Sequence, residues 1–126
     1  MSSIVVRTVD DIQAYEGPGA ITGVRFKAAR EALGVSAWGM NVIELDPNTD
    51  TYPEHDHTAD GQEEVYVVLS GQVTLQTADA NHDLPAGAMA RVPSTTRRKL
   101  VTGEQGAVVL ALGGTPGQAY TPGMGG

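Results

Sequence analysis

The stretch Tyr52-Pro53-Glu54-His55-Asp56-His57, followed by Gln62-Glu63-Glu64-Val65-Tyr66-Val67-Val68-Leu69-Ser70-Gly71, sets two imidazoles and a carboxylate beside the most hydrophobic run of the chain. In an extended backbone, side chains alternate across the sheet, so His55 and His57 fall on one face while Asp56 points away. Two ring nitrogens on one face are placed to bind one cation. Glu64 opens the run Val65 to Leu69 and is the candidate third ligand from a neighbouring strand; Ser70-Gly71 reads as the turn that ends the run. Two His nitrogens with one carboxylate oxygen form the mixed donor set of zinc, iron, manganese and nickel sites that keep positions open.

Outward from this stretch the chain is a series of short extended runs broken by Gly, Pro, Asn and Asp. Ser3 to Val9 alternates as an edge strand, Asp10-Asp11 caps a short turn, and Glu16-Gly17-Pro18-Gly19 is a loop. Val24 to Lys27 reads as a strand, and Ala28 to Leu33 has the alanine-rich composition of a short helix stopped by Gly34. Ala37 to Leu45 is a long strand turned by Asp46-Pro47-Asn48. Further strands are expected around His55, over Glu64 to Leu69, Gln72 to Thr77, Ala88 to Val92, Arg98 to Thr102 and Ala107 to Leu112. Many short strands spaced by turns predict an all-β sandwich or barrel with one short helix near the N-terminus. At 126 residues the chain makes one domain, expected over 1–115. Residues 116–126 are Gly- and Pro-rich and are expected to form a flexible tail.

His55, His57, Glu64 and Gly71, with Leu84-Pro85-Ala86-Gly87 and Val92-Pro93 downstream, resemble the two motifs of the cupin family. The resemblance covers about Met40 to Leu112. It implies a double-stranded β-helix, or jelly-roll barrel, with His55, His57 and Glu64 as metal ligands in its mouth. In the family pattern six residues lie between the Glu and its glycine, which selects Glu64 over Glu63. The family usually leaves three or four residues between the second His and the Glu, whereas this chain has Thr58 to Glu63, with Asp60-Gly61 in an enlarged loop. The family's fourth ligand, a His five residues after the proline of the second motif, falls on Arg98. A guanidinium has no free lone pair and cannot coordinate a cation.

Two arrangements follow from that departure. In one, His55, His57 and Glu64 hold a divalent metal whose open positions take water or an anionic ligand clamped by Arg98. In the other, the charge of Arg98 excludes the cation, at a cost of about 5 kcal/mol for a divalent ion roughly 6 Å away at an effective dielectric of 20, and leaves a metal-free anion pocket. The family contains dioxygenases, isomerases, decarboxylases and non-catalytic binding proteins, so the resemblance admits a metal-dependent oxygenase or isomerase and a non-catalytic binder of a small anionic or polar molecule. Candidates for the pocket wall beside Arg98 are Tyr52, Tyr66, Arg91, Met40 and Met89, and the two tyrosines are the only nearby protic groups besides the ligands. Trp38 and Phe26 read as core or dimer-interface anchors. His82, within Ala80-Asn81-His82-Asp83, reads as a solvated turn residue, and Gln62 and Glu63 flank the expected carboxylate ligand.

Composition limits the remaining choices. There is no cysteine, so disulfides and thiolate ligands are excluded. Eight basic against fifteen acidic side chains give a net charge of -7, which argues against general nucleic-acid or anionic-membrane binding. No apolar run is long enough to cross a bilayer and no amino-terminal signal pattern is present, so a cytoplasmic location is expected. A homodimer formed through the outer sheet is the expected assembly.

Overall fold

Seven antiparallel strands wrap around one apolar core in a computed structural model that describes residues 3–122. They are β1 (Val24–Lys27), β2 (Gly39–Leu45), β3 (Glu63–Gln76), β4 (Asn81–Pro85), β5 (Met89–Val92), β6 (Lys99–Val101) and β7 (Ala107–Gly114). The single α-helix, α1 (Ala29–Leu33), ends at Gly34, whose φ of 78° is the left-handed cap that a glycine adopts without strain.

The shape follows from β3. Its first half pairs with β7 and β5, completing a sheet ordered β1-β2-β7-β3-β5, and its second half pairs with β4 and β6. The expected turn at Ser70-Gly71 is instead a bulge inside one continuous strand, with a register shift against β7 between Val68 and Ser70. Gly71 has φ 75°, and a Cβ there would collide with the Gly106 carbonyl oxygen, so only glycine fits. The extra residue reverses the side-chain parity. Glu64, Tyr66 and Val68 face inward before the bulge, and Val73 and Leu75 after it. One strand thus serves both sheets of the jelly roll.

Val68, Val73, Leu100 and Val109, each no more than 1% exposed, close the far end of the barrel, and each such burial contributes about 1.5–3 kcal/mol. Outside the barrel, α1 covers β2 through Ala29 and Val42, with Ile12 and Met40 beside them. The segment expected to be an edge strand, Ser3 to Val9, forms no strand; a 3-10 turn at Val9–Asp11 is capped by the Thr8 side chain. Tyr120, within the tail expected to be flexible, lies over the Arg30 guanidinium and against Gly39. Residues 123–126 of that tail lie outside the described residues. None of the described helices is long and apolar enough to cross a membrane.

Candidate metal centre

Residues 48–57 run alongside 94–103 as an irregular extended segment across the barrel mouth. Its backbone is tied at both ends, by Asn48 N to Gly103 O at 2.7 Å and by His57 N to Ser94 O at 2.9 Å. Between them, His55 and Arg98 exchange both backbone hydrogen bonds, at 3.0 and 2.8 Å. Pro53 offers no N–H, which limits the regular ladder here to this single bridge. Glu64 is fixed independently, as the second residue of β3 between Val92 on β5 and Gly113 on β7.

The hydrogen bonds also settle which ring nitrogen of each histidine is free. His55 Nδ1 lies 3.0 Å from the Pro53 carbonyl oxygen, which only accepts, so Nδ1–H donates and the neutral ring carries its lone pair on Nε2. His57 Nδ1 lies 3.1 and 3.2 Å from the two carboxylate oxygens of Asp60, with the same consequence. Both Nε2 atoms stand 3.8 Å from Glu64 Oε1. All three ligand atoms fall within 4.8 Å of one another, a grouping able to hold a metal ion. This donor set, two imidazoles whose Nε2 atoms face one carboxylate oxygen, fits a divalent cation.

Asp60 and Gln62, in the enlarged loop, were not singled out as supports by the sequence reading. Asp60 accepts from the Gln62 backbone and side-chain amides at 3.1 and 3.2 Å, and its own carbonyl accepts from Thr115 Oγ1 at 2.9 Å. Burial opposes ionisation of Asp60, but the Gln62 backbone amide and the His57 ring outweigh it and hold the carboxyl below its usual range. For His55, burial lowers the pKa; the Pro53 contact and Glu64 act against that, and Arg98 and His57 add to it. The net lowering favours the neutral ring, the form that a metal ligand requires.

Arg98 occupies the expected position but not the expected orientation. It is fully buried, donating from Nη1 to the Thr96 carbonyl at 2.7 Å and from Nη2 to Glu64 Oε1 at 3.2 Å, while Nε has no hydrogen-bond partner. These contacts hold the guanidinium behind the ligands, so it does not line the cavity as an anion clamp.

That cavity, about 520 Å³, opens beside His55 and Glu64 and is walled by Tyr15, Ile21, Phe26, Ile43 and Tyr52. Tyr52 lines the cavity, and Tyr66 is sealed beneath, its hydroxyl 3.0 Å from that of Tyr52. Burial and the Glu64 charge raise the pKa of Tyr52, and burial with Tyr52 and Glu64 raises that of Tyr66, so both stay protonated. Three expected wall residues are elsewhere. Met40 faces outward onto the Ile12–Ala29–Val42 cluster. Met89 is 72% exposed, and Arg91 is turned outward toward Glu63. Their inward neighbours on β5 are Ala90 and Val92, because Tyr66 faces Ala90 across the ladder and paired residues share a face. Phe26, expected as a core or dimer anchor, lines the cavity with its ring 6.1 Å from that of Tyr52. Trp38 is 46% exposed on the outer surface, and His82 is exposed on β4 rather than in a turn.

A sequence model of the family described as Cupin domain matches residues 41–113. No curated protein matches the chain. Among solved structures, it is similar to a sugar phosphate isomerase from a cupin superfamily of Silicibacter pomeroyi, with a TM-score of 0.72 and 24% identity over 91% of this chain and 75% of that one. It is also similar to a Cupin 2 conserved barrel domain protein of Salinispora arenicola, with a TM-score of 0.71 and 15% identity over 91% and 92% of the two chains. A predicted oxalate decarboxylase of Thermotoga maritima gives a TM-score of 0.68 and 19% identity over 86% and 96%. At these identities the likeness is one of fold.

Proposed function

This chain belongs to the cupin family, and from that premise we propose that it holds one divalent metal ion through Nε2 of His55, Nε2 of His57 and the Glu64 carboxylate. A small molecule reaches the ion through the adjoining cavity and is converted by metal-dependent chemistry of the oxygenase or isomerase type. The observation that carries the reading is the pair of Nδ1 anchors, Pro53 O and Asp60, which leave both Nε2 atoms facing one Glu64 oxygen. When bound, such an ion supplies Lewis acidity and open coordination positions. The chain's own part is to keep both imidazoles oriented through their Nδ1 partners and to exclude water with the aromatic wall. Tyr52 in that wall and Tyr66 beneath it pair hydroxyl to hydroxyl and stay protonated, so neither serves as a base. The metal is zinc, iron, manganese or nickel, all compatible with this donor set.

Elemental analysis of protein purified without chelators, beside a His55→Ala/His57→Ala control, tests the reading. The expected result is near-stoichiometric metal that the control lacks; no metal in either sample after reconstitution overturns it. A second reading, a metal-free protein that binds a small molecule without converting it, draws support from the Glu64–Arg98 pair, since the carboxylate already has a cation partner. As the accompanying assembly we propose a homodimer through the outer sheet face, where Trp38, Leu69 and Met89 are large exposed apolar side chains. Sedimentation at micromolar concentration tests it, with a monomer as the contrary result.

A further inference from the structure

We propose that the molecule taken by the cavity has one chelating or singly anionic head and an apolar body of about the size of an aromatic ring; this rests on the metal-binding reading above and names its substrate class. The wall is chemically one-sided. Away from His55 and Glu64, the lining is apolar or aromatic apart from Asn41, backbone and the Tyr15 and Tyr52 hydroxyls. The Tyr52 hydroxyl is turned to Tyr66, and that of Tyr15 donates to the Pro18 carbonyl at 2.5 Å. No lysine or arginine lines the cavity.

The cations nearest in sequence and space are occupied elsewhere. Arg98 donates to Thr96 and Glu64, Lys27 to the Val9 carbonyl and toward Glu44, and Arg25 to Glu44 and Asp46. At the metal end, a divalent ion beside Glu64 and Arg98 leaves positive charge in excess, which suits one anionic head. A second anionic group at the Phe26–Ile21 end would lose its hydration and meet no cation. A volume of about 520 Å³ is within the range of small-molecule sites, and such sites bind chiefly through apolar contact with a few placed polar groups. Asn41 is the polar group here. It sits inward on β2 opposite Ala111, and its amide makes no hydrogen bond to another described residue, so both its donor and its acceptor are available to orient the ligand.

Zinc-loaded full-length protein is titrated calorimetrically with benzohydroxamate and acetohydroxamate, which share a chelating head and differ in the apolar body, and with glucose 6-phosphate. Benzohydroxamate is expected to bind about thirtyfold tighter than acetohydroxamate, on the order of what burial of a phenyl ring supports. Glucose 6-phosphate, whose phosphate can take the metal end only by setting a polar sugar against the apolar wall, is expected to bind more weakly than benzohydroxamate. Phe26→Ser lowers the hydroxamate ratio while zinc content stays unchanged, and Asn41→Arg, which adds a cation at the wall without emptying the core, strengthens binding of the sugar phosphate. Equal hydroxamate affinities, or tighter binding of glucose 6-phosphate by the unsubstituted protein, overturn the proposal. Zinc content is measured separately on the same samples, so loss of the metal reading is seen as such. In that event, saturation transfer to 2-naphthol on metal-free protein, abolished by Phe26→Ser, supports the apolar ligand class, and absence of transfer overturns it.

Discussion

His55 and His57 present the same nitrogen to the same carboxylate, yet they are held by different means. His55 leans on a backbone carbonyl two residues back and is part-exposed to the cavity; His57 is 3% exposed and is held by Asp60, a side chain of the enlarged loop. Neighbouring backbone holds the first ring without ordering a second side chain. The second depends on a small network that also enlists Gln62 and Thr115. The shorter loop usual in the family would have less room for that network. Of the two histidines, therefore, the more deeply buried one can be loosened from a distance by mutation.

Removing what both rings face breaks the comparison altogether and has the largest effect. Glu64→Ala abolishes metal retention and leaves the Arg98 guanidinium buried without its carboxylate partner, a loss of about 3–5 kcal/mol. Metal analysis and urea denaturation of the variant check both parts; retained metal with unchanged stability would falsify the assignment of Glu64. The next effect separates the histidines. Asp60→Ala lowers metal affinity about 10- to 100-fold, as for other partners of ligating imidazoles, whereas Asp60→Asn, which still accepts from Nδ1, loses less. No side-chain substitution acts on His55 in this way, because its acceptor is backbone. Competition with a chelator of known affinity measures each step, and equal affinities for Asp60→Ala and the parent would make the loop network irrelevant to the site. Smaller again is Arg98→His, which exchanges a cation for a fourth imidazole and raises affinity about tenfold in the same assay. Unchanged affinity would show that residue 98 does not influence the ion.

The grouping of His55, His57 and Glu64 was legible because their spacing carries chemistry that few other patterns need. The Asp60 network was not, since a loop has no period and nothing in Asp60-Gly61-Gln62 fixes where its side chains turn. Parity failed in an instructive way. Placing Tyr66, Met89 and Arg91 in one wall is self-inconsistent once β3 and β5 pair, because the residue across from Tyr66 is Ala90. The strand boundaries alone do not supply that register. Ser70-Gly71 misled for a related reason: a glycine with positive φ marks a hairpin or a bulge equally well, and only the approach of Gly106 distinguishes them. Ser3 to Val9 alternates like a strand but, among the described residues, has no neighbour to pair with. Propensity without a partner leaves a strand unformed.

The smallest expected effect is a pH dependence that again sets one histidine apart. The pKa of His55 is lowered, with burial as the leading cause, so as pH falls below the ordinary imidazole value the unfolded chain takes up the proton first. Stability of the metal-free protein contributed by the neutral ring is therefore complete above about pH 6.5 and declines as pH falls from there toward the lowered native value. Asp60 adds a loss of the same sign at lower pH, beneath the ordinary carboxylate range, because its folded-state pKa is also lowered. Urea denaturation of metal-free protein at stepped pH follows both. His55→Gln, which keeps a polar side chain but does not titrate, should flatten the upper limb alone, and Asp60→Asn the lower. If His55→Gln leaves the upper limb as steep as in the parent, another group carries the proton, and the lone pair at His55 Nε2 is not what the fold protects.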